Sequence, residues 1–244
     1  MKPFLLLATR AEDVPADEEY ALFRRYAGLA EHQLVRHRLE AEPLGDIDLD
    51  DWSGIFVGGG PFNASDPPEK KSAVQHRVEA EISALLDAVI ARDFPFFGAC
   101  YGIGTVGTHE GAVIDGTYRE PISVIEVTRT AVGADDPLLA GLPDAFTAFV
   151  GHKEAISVLP PSATLLATGA ACPVQMFRVG QNVYATQFHP ELDVEGISTR
   201  IRAYADHGYF AAHELDLTLA AVRRAPVTHT GRLLRTFVER YARD

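Results

Sequence analysis

The sequence predicts an α/β fold: a mostly parallel central sheet flanked by helices, with a smaller antiparallel portion. Three observations carry this. Short, continuous apolar runs at 4–8, 54–57 and 94–97 read as strands buried on both faces, as parallel strands are. Segments with apolar residues three and four apart separate them, and such alternation implies βαβ units with right-handed crossovers. Beyond Ala112 helical spacing nearly vanishes, and short β-like pieces follow one another as far as Gln187.

Taken in order, Phe4 to Ala8 is the first strand. Its apolar run is too short to span a bilayer, and Thr9-Arg10-Ala11-Glu12-Asp13 breaks it too early for a secretion signal. Asp17, Glu18 and Glu19 mark the expected start of a helix carrying Leu22, Phe23, Tyr26, Ala27 and Leu29. His32 to Leu39 alternates as a second strand, and Asp46 to Asp51 is an acidic connector. Gly54 to Val57 is a third strand running into Gly58-Gly59-Gly60-Pro61. Lys70 to Ala91 has the longest helical pattern, with Val74, Val78, Ile82, Leu85, Leu86, Val89 and Ile90 on one stripe. The β-like pieces are 122–127, 146–150, 163–168, 174–179 and 183–187, with Gly180-Gln181-Asn182 as a hairpin turn. Helices are expected again through Val194, Ile197, Ile201 and Tyr204, and through Leu233, Leu234, Phe237, Val238 and Tyr241. The expected division is one domain over 1–192 and a helical extension over 193–244, packed on the same domain or used as a subunit contact.

The chain has 244 residues, enough for a sizeable core. Its net charge of −12 argues against nucleic acid or an anionic membrane as main partner. Two cysteines, Cys100 and Cys172, make no disulfide framework and suit a reducing compartment, so a cytoplasmic setting is expected.

Chemistry concentrates in Phe94-Pro95-Phe96-Phe97-Gly98-Ala99-Cys100-Tyr101-Gly102. An apolar run ending in a cysteine between glycines, with a helix-compatible segment after it, reads as a strand–turn–helix elbow with a nucleophile at its apex. The positive end of the following helix favours thiolate there. The plain alternative is a small buried core cysteine. A base is available in His189-Pro190-Glu191. On an extended backbone residues two apart share a side, so Glu191 can orient His189 while its other nitrogen serves Cys100. A surface histidine beside a capping glutamate is the alternative. No metal site is expected, because the remaining histidines, including His207 and His213, lack ligand spacing and read as solvated or helix-end residues. No cofactor is expected either: Gly58-Gly59-Gly60 lacks the lysine and hydroxyl of a phosphate loop.

Together Gly58-Gly59-Gly60-Pro61, the Cys100 elbow and Gln187-Phe188-His189-Pro190-Glu191 resemble the class I glutamine amidotransferase domain, over roughly 4–191. The resemblance implies a flavodoxin-like sheet and a cysteine amidohydrolase, with Cys100 as nucleophile, His189 as base and Glu191 as orienter. It implies glutamine or a related γ-glutamyl compound as substrate. It also places an oxyanion and substrate site at Gly58, Gly59, Gly60, Tyr101, Gly104, Gly151, His152 and Lys153, with the N–H groups of Gly59 and Tyr101 as oxyanion donors. Two positions depart from the pattern. Gly104 stands where the family has a substrate-holding glutamine, which makes room for a larger γ-glutamyl compound. Lys153 and Glu154 replace the glycine and aspartate of the family's Ser-His-Gly-Asp segment, beside His152, itself readable as a buried bridge between loops. Any synthase that uses released ammonia is expected on a separate chain. A γ-glutamyl peptidase and a non-catalytic regulatory or binding subunit are the alternative functions.

Overall fold

The structure, a computed structural model, describes residues 1–204 and 215–244; His207 and His213 lie outside them. The described strands are β1 (Phe4–Ala8), β2 (Leu34–Arg38), β3 (Gly54–Val57), β4 (Phe96–Ala99), β5 (Val113–Asp115), β6 (Glu120–Arg129), β7 (Ala145–His152), β8 (Ala155–Val158), β9 (Ala163–Gly169), β10 (Met176–Val179) and β11 (Val183–Thr186). The described helices are α1 (Asp13–Ala27), α2 (Ala73–Ala91), α3 (Tyr101–His109), α4 (Ala131–Asp135), α5 (Val194–Ala203), α6 (Leu215–Arg223) and α7 (Gly231–Tyr241).

A nine-stranded sheet runs β2-β1-β3-β4-β11-β10-β9-β6-β7. From β2 to β11 the pairings are parallel, in the flavodoxin-like order. From β11 to β7 they are antiparallel, and β10–β11 form the expected hairpin over Gly180, at φ +57°. The chain therefore alternates strand and helix only where crossovers are needed, which is why helical spacing fades after Ala112.

Alternation along β1 divides the core. Phe4 and Leu6 face one side, with Phe23 of α1 and Phe237 of α7; Leu5 and Leu7 face the other, with Val78 and Ile82 of α2. On the first side Phe237 sits among Phe4, Phe56 and Phe97, its ring 5.1 Å from that of Phe56 and 5.7 Å from that of Phe97. A third cluster joins Leu22 and Phe149 to Ile197 and Ile201 of α5 and Leu219 and Val222 of α6.

Several boundaries differ from the sequence reading. Helix α1 begins at Asp13, before the acidic trio, because Pro15 is tolerated in a first turn. It ends at Ala27, because Gly28 turns left-handed at φ 72° and its N–H closes onto Arg24 and Arg25. Glu31–Gln33 is a 3₁₀ turn, so β2 starts two residues later than alternation suggests. Helix α2 starts after Ser72, whose side chain caps Gln75 N–H. The two-stranded β5–β8 ribbon and helix α4 have no counterpart in the sequence reading, and α6 falls within the expected helical extension without a pattern of its own. Strands β5 and β8 and helix α4 are too short to show a period, and α6 fully buries only Leu219 and Val222.

Candidate active site

Cys100 lies between β4 and α3 with φ 53° and ψ −93°, a region that residues with side chains rarely occupy. Its neighbours explain the glycines. A Cβ on Gly98 would stand 2.6 Å from the Gly102 carbonyl oxygen, and one on Gly102 would stand 3.1 Å from the Val57 oxygen. Strand end and first helical turn thus cross in contact. Cys100 N–H donates to Thr186 O of β11 at 2.8 Å, which fixes the apex to the strand leading toward His189.

Strand β11 stops one residue short of the Gln187 expected from the sequence. It ends at Thr186, whose hydroxyl donates to Phe188 O at 2.9 Å across a bend. His189 is instead held by β7, its N–H donating to Phe149 O at 3.0 Å. From there His189 Nδ1 lies 2.9 Å from Glu191 Oε1, and its ring stands with Cys100 on the same side of Gly59. Both His189 and Glu191 are buried.

Around this pair is a charged lattice that sequence reasoning missed. Arg200 of α5 places Nη1 2.9 Å from His189 Nδ1 and Nη2 3.0 Å from both Glu191 Oε1 and Glu19 Oε1. Arg10 Nε pairs with the same Glu19 oxygen at 3.0 Å, and its Nη1 donates to the Tyr204 hydroxyl at 3.0 Å. Nδ1 of His189 has one lone pair or one proton, so it accepts from Arg200 or donates to Glu191, one at a time. The signal was present: Arg200 falls on the stripe of Ile197, Ile201 and Tyr204, and a charge on an apolar stripe must be paired.

Burial opposes a charged His189, but the Cys100 sulfur and the Glu191 carboxylate outweigh it and hold its pKa up at about 9, with Arg200 pulling the other way. Burial would raise Glu191, yet His189 and Arg200 keep it well below the usual carboxylate range.

Of the glycine turn, Gly59 comes nearest the chemistry. A Cβ there would meet Arg10 Nη2 at 2.6 Å and His189 Cε1 at 2.9 Å, with Cys100 Cβ at 3.6 Å. The Thr9 hydroxyl fills the corresponding space at Gly60. Gly58 belongs to the sheet instead: its N–H donates to Leu7 O at 3.1 Å and Glu19 covers its Cα.

On the α3 side of Cys100 a pocket of about 400 Å³, counting its mouth, is lined by Gly60, Tyr101, Gly104, Gly151, His152 and Lys153 among others. Beside Gly104 the space is bounded by Ala64 and the Glu154 carboxylate, each 3.5 Å from where a Cβ would be. Glu154 is fixed by the N–H groups of Ala64 (2.7 Å) and Ser65 (2.8 Å), which pins the loop forming the pocket wall. His152 has both nitrogens engaged, with Glu154 O at 2.8 Å and Glu120 Oε2 at 3.0 Å, so it bridges the end of β7 to β6. Glu120, His152 and buried Cys172 bring three potential metal-ligand atoms within 4.8 Å of one another. The carboxylate oxygen already accepts from His152 and from Gln175 at 2.7 Å, and burial pushes the thiol up to about 12, so hydrogen bonds fill this cluster.

A family model described as glutamine amidotransferase class-I matches residues 18–203. The chain is similar to the glutamine-hydrolyzing GMP synthase subunit of Thermoplasma acidophilum, 30% identical over 153 residues covering 61% of this chain and 69% of that one. It is similar to the same protein of Thermoplasma volcanium, 28% identical over 166 residues covering 67% and 72%. Among solved structures, a glutamine amidotransferase from Thermotoga maritima matches all of both chains with a TM-score of 0.78 at 21% identity, a likeness of fold.

Proposed function

Because the chain belongs to the class I glutamine amidotransferase family, we propose that it is a cysteine-dependent amidohydrolase cleaving the γ-carboxamide of glutamine or a related γ-glutamyl amide. The observation that carries this reading is a cysteine held at a left-handed apex beside a buried histidine whose Nδ1 faces a buried carboxylate.

Cys100 sulfur attacks the γ-carbonyl carbon, forming the S–C bond while its proton resides on His189. The oxyanion is taken by the N–H groups of Gly59 and Tyr101. The latter opens α3 and so has no helical acceptor, and each such donor is typically worth ~10²–10³ in rate. The imidazolium gives its proton to the departing nitrogen as the C–N bond breaks. Water, deprotonated by neutral His189, then cleaves the γ-glutamyl thioester to glutamate and restores the thiol. Glu191 holds the imidazole and balances its charge. Gly60, Gly104, Gly151 and Lys153 shape the pocket for the γ-glutamyl part, which His152 supports from behind.

Two relatives bear the name of a GMP synthase subunit, which supports delivery of ammonia to a separate synthase chain. Among the described residues no helix is long and apolar enough to cross a membrane. Both cysteines are free, as a reducing compartment would keep them, and a cytoplasmic setting belongs to this reading.

The test is release of ammonia or amine from glutamine and a panel of γ-glutamyl amides, with Cys100→Ala as control and a glutamine-like diazoketone as covalent probe. Turnover by the wild type, none by the variant, and a mass increment on Cys100 are expected. Failure of every amide together with an unlabelled Cys100 would sink the reading in favour of a non-catalytic subunit.

A further inference from the structure

Resting on that reading, we propose that the cleft on the His189 side of Cys100 is a leaving-group subsite with Arg10 as its carboxylate anchor, and that the substrates are γ-glutamyl conjugates of apolar amino acids. Two clefts meet at the nucleophile. Both include Cys100, Gly60 and Gly151, but the first lacks His189 and the second contains it. The leaving nitrogen receives its proton from His189, so the leaving group departs on the second side and the γ-glutamyl part occupies the first.

Ammonia would need no room there. The second cleft is nevertheless lined on two sides by side chains suited to a larger group. Ile122, Val150 and Ile197 supply an apolar wall, and Arg10, Arg200 and Tyr204 a polar one. That pairing matches an amino acid with a hydrocarbon side chain and a carboxylate. Gly151 keeps the apolar wall close, since a Cβ there would stand 2.7 Å from Ile122 Cγ1.

Arg10 is the anchor because its guanidinium is only partly committed. Nε goes to Glu19 and Nη1 to Tyr204, while Nη2 lies against Gly59 beside His189 with no hydrogen-bond partner among the described residues. Arg200 and His189 are already held by Glu191 and Glu19, and the Tyr204 hydroxyl donates to Glu12 Oε2 at 3.2 Å, which leaves Nη2 as the donor in this wall that can meet an anion. The reaction balances as before: S–C forms, C–N breaks, the thiol proton leaves on the amino nitrogen, and water converts the thioester to glutamate. The released product is then the free amino acid.

The experiment compares kcat/KM on glutamine, γ-glutamyl-leucine and γ-glutamyl-3-methylbutylamide, the last being the leucine conjugate without its carboxylate. The leucine conjugate is expected to exceed its decarboxylated twin by about 10-fold or more, as a hydrogen bond to a charged group would give, and to exceed glutamine. In Arg10→Gln the advantage over the twin falls to about one, and Arg10→Lys restores part of it. Equal rates for the twins in the wild type, glutamine as the fastest substrate, or an advantage that survives Arg10→Gln overturns the inference while leaving the amidohydrolase reading intact. If Arg10→Gln does not fold, the wild-type comparison decides alone. Turnover of none of the three, with Cys100 unlabelled, strikes the underlying reading instead.

Discussion

Replacing Arg200 by methionine tests the charged lattice most directly. Nη2 stands 3.0 Å from two buried carboxylate oxygens, of Glu191 and Glu19, and Nη1 2.9 Å from His189. One unit-charge pair at such a distance is worth about 5–6 kcal/mol at an effective dielectric near 20, before the cost of desolvation. Removing one partner of a buried pair typically costs ~3–5 kcal/mol, because the other charge is left uncompensated. Denaturant unfolding of Arg200→Met should therefore show a loss of about that size. Arg200 also works against the charge on His189, so its removal lets a pKa already near 9 rise further. If the imidazolium protonates the leaving nitrogen, kcat/KM falls as pH climbs through about 9 in the wild type and at higher pH in the variant. Arg200→Lys keeps the charge but reaches one carboxylate at a time, and should fall between the two. A stability loss below about 1 kcal/mol, or an alkaline limb that stays put or moves down, would refute the reasoning.

Other outcomes follow from the same geometry. His189 titrates higher in the folded chain than its ordinary 6.5, so its contribution to stability is full below that pH and is lost as pH rises through about 9; Cys100→Ala, which removes the largest raising influence, should flatten this dependence in unfolding curves from pH 6 to 10. Cys100→Gly should be more stable than Cys100→Ala by about 1 kcal/mol, since glycine accepts φ 53° without strain, and both should lack activity. Gly59→Ala drives a methyl group toward His189 Cε1 and should cut kcat by roughly 10²-fold while far-ultraviolet dichroism stays unchanged. Phe237→Ala should cost about 3–5 kcal/mol, the usual penalty for a buried ring; a loss under 1 would mean that α7 is only loosely attached.

Much of this could be read beforehand where a local pattern has a local cause. Gly98 and Gly102 announce an elbow because two backbone segments must cross there, and that need is written at fixed offsets from Cys100. His189 and Glu191 are neighbours in sequence and so could be paired on paper, although the route differs: a bend after Thr186 and a bond from β7 hold them, not a continued strand. Arg10, Glu19 and Arg200 escaped because they meet only through the fold, and each alone reads as an ordinary charge on a helix or loop. For Glu19 and Arg200, positions on otherwise apolar helix stripes were the clue. His152 was visible as a polar residue near the site, but Glu120, its partner thirty-two positions away, was not.

The place of Phe237 has a consequence in time. The rings of Phe4 and Phe56 are made long before α7, yet the residue that seals them against water lies on that helix. Until that helix emerges, the first strands carry an uncovered aromatic face, and the contact that closes it spans most of the chain. Such long-range closure slows folding and leaves sticky surface waiting meanwhile. A ribosome translating this message thus holds a half-built sheet until α7 has followed it, and the nascent chain depends on speed or on chaperones to reach that point unaggregated.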